Sequence, residues 1–415
     1  MHKILRPFGL LCAFAGMATL AKPASAQDWT QWRGPSRSAT IESFTATPGW
    51  KPKLTKGWSV EVGEGHASPL IVGDRVYTHS RKGDSEVVQC LRLATGAPVW
   101  TDSYAVAYEP VPAAKGHGKG PKSTPVYANG LLVTFSIHGA LTCYNASTGK
   151  LLWRKDFVGQ FPSTYPEFGT AMSPVVDRDL VIAHVGGKEG GALIAYEMKT
   201  GKERWKWTED GPSYASPLVA FFDNFRTVVT QTQHFCVGIS ADDGKLLWKI
   251  PFTTPYEQNS VSPVVIGGTI LFGGIGTPTF LAKPHKEGGD WKVDRVWETR
   301  DIIFYMNTPV LSGNLLYGMS QKRSGQMVSV DPDTGKILWS DTGRFGENAV
   351  VLAGGGYIFS FSTKGVLYIY RKVGNKLLEI FQQQVADTEV WATPAFATRR
   401  MLLKDKDSLT LWTIE

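Results

Sequence analysis

The sequence predicts an all-β chain built from repeated four-stranded sheets. First, a Ser/Thr-Pro step opens an apolar run seven times. Second, five of the intervals carry an Asp/Thr-Gly turn with a tryptophan four residues after the glycine. Third, most units are spaced by roughly 40–56 residues, a period typical of β-propeller blades. The steps are Ser68-Pro69, Thr124-Pro125, Ser173-Pro174, Ser216-Pro217, Ser262-Pro263, Thr308-Pro309 and Thr393-Pro394.

Residues 122–153 show how one repeat is built. The first apolar run ends at Asn129-Gly130, which favours a tight hairpin because both residues tolerate positive φ. The second run turns at His138-Gly139 and the third at Thr148-Gly149, and a fourth run follows. Four antiparallel strands joined by tight turns form one propeller blade.

The recurring tryptophan lies on the outermost strand of its unit. A ring in that position can bury ~150–250 Å² of surface, so we expect it to pack between neighbouring blades. Its predicted role is therefore structural. The residues with this predicted role are Trp100, Trp153, Trp205, Trp248 and Trp339.

The blade count follows from the repeats and the two ends of the pattern. Six Ser/Thr-Pro steps mark six blades, and a degenerate unit without proline or tryptophan, residues 348–372, fits before the seventh step. The last unit stops after its third strand, whereas residues 57–63 form a strand pattern without a blade of their own. Joining the two would close the ring and remove exposed edges. The sequence predicts an eight-bladed propeller closed by its N- and C-terminal strands, with seven blades as the alternative.

The first residues have the pattern of a secretory signal. Basic residues precede an apolar stretch at residues 10–20, and an A-x-A site ends at Ala26, so we expect cleavage near Ala26-Gln27. The expected organisation is a signal peptide at 1–26, an extension at 27–56 and one propeller domain at 57–415. No other segment is long and apolar enough to span a bilayer. A periplasmic or secreted protein is expected.

Charge gives little indication of a polyanionic partner. Removing the three basic residues of the signal lowers the formal charge from +7 to +4. The chain has no dense Lys/Arg run with interleaved aromatic residues, which argues against nucleic-acid binding. We expect a monomer.

The repeats resemble those of the quinoprotein-like propellers, a family of pyrroloquinoline-quinone (PQQ) repeat proteins. The resemblance rests on units such as STPVYANGLLVTFSIHGALTCYNASTGKLLW, residues 123–153, and covers nearly all of the chain after the signal. The family includes quinoprotein alcohol dehydrogenases and the outer-membrane assembly protein BamB. The resemblance implies a propeller that either holds PQQ beside Ca²⁺ over its channel or binds a partner without a cofactor.

The motifs of the enzymatic members are incomplete in this sequence. There is no pair of adjacent cysteines, and no acid can be matched by motif to the family's catalytic aspartate. We therefore assign no catalytic residue and no metal ligand. No cofactor is expected, and PQQ with calcium is the alternative.

The candidate binding residues lie in two sets of loops that we expect on one face. These loops join a fourth strand to the next first strand, or a second strand to a third. Their polar and aromatic side chains could surround the channel mouth and take a small polar ligand. The candidates are His66, Lys122, His138, His184, Tyr214, His234, Asn259, Asn307, Arg323, Lys364 and Trp391. Residues 107–122 form the longest insertion, which we interpret as a mobile flap.

Three functions remain open from the sequence. The first is a non-catalytic, BamB-like scaffold of the cell envelope, whose blade edges and face loops bind a protein or peptide. The second is a PQQ- and calcium-dependent alcohol or sugar dehydrogenase. The third is a propeller that binds polysaccharide through the aromatic residues of its face.

Overall fold

A computed structural model describes residues 28–415, which form eight four-stranded antiparallel sheets arranged as a ring. The predicted eight-bladed propeller is confirmed. The predicted signal peptide, residues 1–26, lies outside the described residues. No helix of residues 28–415 is long and apolar enough to cross a membrane.

The first four blades follow one another along the chain. Their strands are β2 (Leu70–Val72), β3 (Arg75–Lys82), β4 (Ser85–Arg92) and β5 (Pro98–Ala105) in blade 1; β6 (Val126–Ala128), β7 (Leu131–Phe135), β8 (Leu141–Asn145) and β9 (Leu151–Lys155) in blade 2; β10 (Val175–Asp177), β11 (Leu180–Gly187), β12 (Gly190–Glu197) and β13 (Glu203–Trp207) in blade 3; and β14 (Leu218–Phe222), β15 (Phe225–Gln231), β16 (Phe235–Ser240) and β17 (Leu246–Pro251) in blade 4.

The remaining blades complete the ring, and three short 3₁₀ helices lie in the connections. The strands are β18 (Val264–Ile266), β19 (Thr269–Phe272), β20 (Thr279–Glu287) and β21 (Asp290–Thr299) in blade 5; β22 (Val310–Ser312), β23 (Leu315–Ser320), β24 (Gln326–Val330) and β25 (Ile337–Ser340) in blade 6; β26 (Ala349–Gly354), β27 (Tyr357–Ser362), β28 (Val366–Val373) and β29 (Lys376–Gln384) in blade 7; and β30 (Ala395–Ala397), β31 (Arg400–Lys404), β32 (Ser408–Ile414) and β1 (Leu54–Glu61) in blade 8. The helices are Pro112–His117, Pro255–Glu257 and Lys322–Ser324.

Blade 8 closes the ring as predicted. Strand β1 pairs antiparallel with β32, from Leu54 opposite Ile414 to Glu61 opposite Ser408. It begins before the predicted start at residue 57. The degenerate unit is also a complete blade, whose fourth strand runs on to Gln384. The N- and C-terminal strands therefore share one sheet.

The Ser/Thr-Pro steps form a ring of hydrogen bonds around the channel. In each link the backbone N–H of the Ser or Thr donates to the side-chain hydroxyl of the equivalent residue in the next blade. Blade 7 has no such step and interrupts the ring. The links are Ser68 to Thr124, Thr124 to Ser173, Ser173 to Ser216, Ser216 to Ser262, Ser262 to Thr308 and Thr393 to Ser68, at 2.8–3.1 Å.

The outer tryptophans contact the turn glycine of the following blade. Trp100 of blade 1 donates its indole N–H to the Ala146 carbonyl of blade 2 at 2.8 Å. A Cβ on Gly149 would lie 2.6 Å from the Trp100 ring, so only glycine leaves room for the indole. Trp153 and Trp205 make the same type of indole hydrogen bond to their next blades.

Two predicted packing tryptophans differ from this pattern, and the sequence analysis missed two that follow it. Among the described residues the Trp248 indole N–H has no hydrogen-bond partner, and Trp339 is partly buried against the core of blades 6 and 7. Trp58 of β1 and Trp297 of β21 donate to Leu93 and Pro332 of the next blades at 2.9 and 2.8 Å. The turn glycine thus accommodates the tryptophan of the preceding blade.

Residues 28–50, here called the strap, lie against the inner strands of several blades. The strap exchanges backbone hydrogen bonds with Ile71 of blade 1 and accepts one from Tyr127 of blade 2. Farther along the strap, the Ile41 backbone N–H donates to the Ala353 carbonyl on the innermost strand of blade 7, and the Ala353 N–H donates to the Ala39 carbonyl. Ile41 and Phe44 are buried in the core that joins blades 6, 7, 8 and 1.

Candidate functional site

The candidate residues occupy the face of the ring that the sequence predicts, here called the mouth face. Strands alternate in direction within each blade, so the fourth-to-first connections and the second-to-third turns emerge together. Ten of the eleven candidates lie in these connections, and His184 lies within β11, three residues before that strand ends. The first-to-second turns, such as Gly73-Asp74, lie on the opposite face, where Asp28 of the strap accepts a hydrogen bond from Gly73.

Two arginines of the strap bind the inner ends of the blades from within the channel. Arg33 donates from Nη1 to the Thr308 carbonyl at 2.6 Å and from Nη2 to the Pro309 carbonyl at 2.7 Å. Arg37 donates to the carbonyls of Pro174 and Pro217. These acceptors belong to the Ser/Thr-Pro steps, so the strap links blades 3, 4 and 6 at the level of the hydroxyl ring.

The two guanidinium groups remain positively charged in this buried position. Burial lowers the pKa of Arg33 and of Arg37 to about 9, which leaves both protonated at neutral pH. Across residues 28–415 neither arginine forms an ion pair with a carboxylate. The channel therefore contains positive charge that is balanced only by carbonyl dipoles. The sequence analysis missed both residues because the strap lies outside the repeats.

The structure brings His66 and Trp391 together at the junction of blades 8 and 1. His66 Nε2 lies 3.0 Å from the His117 carbonyl, and the His117 ring packs edge-on to Trp391 at 4.9 Å. Burial, with help from the charges of Lys404 and Lys122, lowers the pKa of His66 to about 3. The imidazole is neutral at physiological pH, so it adds no charge to the mouth.

Several polar candidates are already engaged with the chain's own carbonyl groups. Lys122 donates to the Phe168 carbonyl at 2.7 Å, and burial lowers its pKa to about 8. The Asn259 side-chain amide donates to the carbonyls of Thr232 and Gln233 at 2.6 and 3.1 Å. These hydrogen bonds tie loops together. The Lys122 ammonium has three N–H donors, and the bond to Phe168 uses one of them.

Three candidates gather around the connection from blade 3 to blade 4. His184 Nε2 lies 3.1 Å from the Asp210 carbonyl, and burial lowers the His184 pKa to about 4. His234 Nδ1 lies 2.8 Å from the Asp210 carboxylate, which also accepts the His234 backbone N–H. The Tyr214 hydroxyl accepts a hydrogen bond from the Phe168 backbone N–H at 3.1 Å. Asp210 thus fixes both imidazoles.

The remaining candidates are distributed around the ring and form no common site. His138 lies 2.6 Å from the Ser136 hydroxyl in blade 2. Both side-chain amide atoms of Asn307, before blade 6, are buried without a hydrogen-bond partner among the described residues. Arg323 and Lys364 are exposed on the turns of blades 6 and 7.

The mouth face also exposes large apolar side chains that the sequence analysis did not single out. Val158, Tyr256 and Met306 are 73%, 78% and 39% exposed, and each follows the fourth strand of a blade. The backbone at Tyr256 and Glu257 is left-handed, with φ of 60° and 55°. Such conformations cost about 1–3 kcal/mol each and are enriched at functional sites. An Asn or Gly at these positions would have predicted a left-handed turn from the sequence, whereas Tyr-Glu does not.

A calcium ion beside PQQ would need several oxygen ligands on the mouth face. Calcium takes six to eight oxygen ligands, usually with carboxylates among them. Within residues 28–415 no group of three or more His, Cys, Asp or Glu residues could hold a metal ion. The Asn259 amide nitrogen donates to the chain's own carbonyls, as described above.

Sequence comparison identifies the family of this propeller. Residues 84–341 match the family described as "Outer membrane protein assembly factor BamB". The chain belongs to this family. BamB of Alteromonas naphthalenivorans is 27% identical over 236 residues, which cover 52% of this chain and 54% of that protein.

Dehydrogenases of the same fold are comparably similar. The lanthanide-dependent methanol dehydrogenase of Methylacidiphilum fumariolicum is 30% identical over 304 residues, covering 69% of this chain and 41% of the enzyme. The chain thus matches about half of the length of these curated relatives. The crystal structure of BamB from Moraxella catarrhalis superposes with a TM-score of 0.62 at 15% identity, covering 87% of this chain and all of that one. This likeness supports the fold alone.

Proposed function

We propose that this protein is a non-catalytic binding scaffold of the cell envelope that holds a protein or peptide partner on its mouth face. It acts after export to the periplasm or the cell exterior. This proposal extends the BamB-like family assignment to a role for this particular chain.

The observation that carries the proposal is the contrast between polar and apolar groups on the mouth face. Lys122, His184 and Asn259 use their polar atoms to bind the chain's own carbonyls. By contrast, Tyr256 and Val158 present about three quarters of their surface to solvent. Protein interfaces are built around large apolar and aromatic side chains, with tyrosine prominent among the residues that dominate binding energy. The face therefore suits a macromolecular partner better than a small polar one.

The experiment is affinity capture from envelope extracts with the full exported chain, comparing wild type with Tyr256→Ser. We expect the variant to recover at least about tenfold less partner, because truncating a hot-spot side chain of an interface weakens the binding free energy by more than about 1.4 kcal/mol. Phe221→Ser is the matched control, because Phe221 is 65% exposed beside the first-to-second turn of blade 4, on the opposite face. Equal losses in both variants, or none in Tyr256→Ser, would contradict the proposal.

The second candidate is a PQQ-dependent dehydrogenase, which is favoured by the 30% identity to the methanol dehydrogenase. Its test is titration of the purified protein with PQQ in the presence of Ca²⁺ or a lanthanide. A shifted quinone absorbance with dye-linked alcohol oxidation would support this candidate. An unchanged spectrum at saturating quinone would remove it.

A further inference from the structure

An open groove of about 810 Å³ lies on the mouth face beside blade 1. It is bounded by the second-to-third turn of blade 1 and by the root of the flap, residues 105–109. Neither the fold nor the proposed function requires it.

Arg81 lines this groove and is almost completely buried. Its Nε donates to the Gly83 carbonyl at 2.9 Å, and its Nη2 donates to the Val106 carbonyl at 3.0 Å. Among the described residues its Nη1 is buried without a hydrogen-bond partner. A buried charged donor without an acceptor is costly, so this nitrogen needs an oxygen that the protein does not supply.

The surroundings of Arg81 indicate which oxygen would suit it. Asp84 Oδ1 lies 3.8 Å from Nη2, too far for a hydrogen bond, and the Asp84 side chain is fully exposed. Lys119 forms an ion pair with Glu109 at the rim, so these two charges balance each other. A ligand carboxylate could replace the loosely held Asp84 and form the two parallel N–H···O bonds that a guanidinium favours.

The walls of the groove suit an apolar body behind that carboxylate. Ala105, Val106 and Ala107 form one side, and Tyr165 adds an aromatic ring. Tyr108 packs edge-on to Tyr165 at 5.4 Å, and its buried hydroxyl also lacks a partner among residues 28–415. Burial raises the pKa of Tyr108 to about 12, so the hydroxyl keeps its proton and can donate.

We propose that this groove binds a carboxylate carried on an apolar or aromatic body, with Arg81 as the residue that holds the carboxylate. The ligand is either a free carboxylic acid or the C-terminal carboxylate of a peptide, because both present the same chemistry. The site shares no lining residue with the surface around Tyr256, although its Tyr165 directly precedes Pro166 and Glu167 of that surface.

Calorimetry on the full exported chain tests the proposal with N-acetylphenylalanine and its uncharged amide. We expect the acid to bind at least about tenfold more tightly than the amide, because the amide cannot form the charge-assisted hydrogen bond to the guanidinium. Acetyl-Ala-Ala-Phe with a free carboxylate distinguishes the sources. Tighter binding of the tripeptide indicates a peptide C-terminus, and equal binding indicates a free acid. Equal affinity for acid and amide, or binding of neither, would overturn the proposal.

Substitutions of Arg81 and of the neighbouring Asp84 should change the affinity for the acid in opposite directions. Arg81→Gln should weaken binding of the acid at least about tenfold. Asp84→Asn should strengthen it about two- to fivefold, because it removes an exposed competing carboxylate, and at an exposed position it leaves folding intact. Asp290→Asn, on the exposed hairpin of blade 5, is the matched control and should change nothing. An unchanged affinity in Asp84→Asn would refute the proposed role of Arg81 even if Arg81→Gln fails to fold.

Discussion

The joint between blades 1 and 2 and the joint between blades 6 and 7 are held by different means. At the first, Trp100 lies over Gly149, and the Ser68 backbone N–H donates to the Thr124 hydroxyl. Among the described residues the second joint has neither contact: blade 7 lacks the Ser/Thr-Pro step, and no tryptophan lies over its turn glycine. Its turn glycine, Gly374, faces open space.

The strap, which contacts several blades, also covers the blade where the repeat signals are missing. Ile41 donates its backbone N–H to the Ala353 carbonyl at 2.7 Å, and Ala353 donates to Ala39 at 3.0 Å. The Phe44 ring packs edge-on to Phe359 at 5.3 Å. Repeated contacts thus hold most joints, whereas a segment outside the repeats covers the degenerate blade. Removing contacts of either kind separates their contributions.

The largest effect is expected from the strap. Arg33→Ala removes two short hydrogen bonds from a charged donor and leaves the carbonyls of Thr308 and Pro309 unpaired. At about 1.5–3 kcal/mol for each such bond, the free energy of unfolding should fall by about 3 kcal/mol or more. Urea denaturation measures the loss, and hydrogen exchange should place it first in blades 6 and 7.

Arg178→Ala is the control for this substitution. Arg178 is 67% exposed and pairs only at the surface, so its replacement should change stability by less than about 0.5 kcal/mol. If Arg33→Ala behaves like Arg178→Ala, the bonds from the strap to blade 6 contribute little to the stability of the ring.

A smaller effect is expected at the regular joint. Gly149 has φ of 72° and no room for a Cβ beside Trp100, whereas Gly374 has φ of 57° with nothing within 4 Å. Replacement by alanine costs about 1–2 kcal/mol at either position from the left-handed backbone alone. Gly149→Ala should cost about 1 kcal/mol more, because the indole must shift from its packed position. Equal losses by thermal denaturation would show that the Trp–Gly contact contributes little.

The blade pattern could be predicted from sequence because each signal is local. A hairpin turn such as Asn129-Gly130 needs only its own φ angles, and the Ser/Thr-Pro spacing counts blades directly. Which tryptophan contacts which turn glycine could not be predicted in the same way. Gly96 lies four residues before Trp100, yet the ring places Gly96 against Trp58 and Gly149 against Trp100. Closure of the ring, rather than distance along the chain, determines these contacts.

The candidate site was less predictable for a related reason. Loop position places Lys122 and Asn259 on the mouth face, but only the folded loops bring carbonyls within 3 Å of their donors. Arg33 and Arg37 lie in a segment without any repeat, so no pattern relates them to the channel. The exposure of Tyr256 depends on a left-handed turn that its residue types do not suggest.

The smallest loss of stability is expected on lowering the pH. It should arise at the joint between blades 3 and 4 and not at the strap. Burial lowers the pKa of His184 from 6.5 to about 4, so below pH 6.5 the unfolded chain takes up a proton that the folded chain does not. The contribution of neutral His184 to the free energy of unfolding is fully present above about pH 6.5 and declines until about pH 4. The loss between pH 7 and pH 5 should be roughly 1–2 kcal/mol.

His184→Gln should remove that part of the pH dependence in urea denaturation, and the matched variant His285→Gln on the outer hairpin of blade 5 should retain it. The strap contacts with blade 7 are backbone hydrogen bonds and apolar packing through Ile41 and Phe44, which do not titrate in this range. At pH 5, amide hydrogens in blades 3 and 4 should therefore lose their protection from exchange before those in blade 7. Simultaneous loosening of blade 7 would mean that the two kinds of joint open as one cooperative unit.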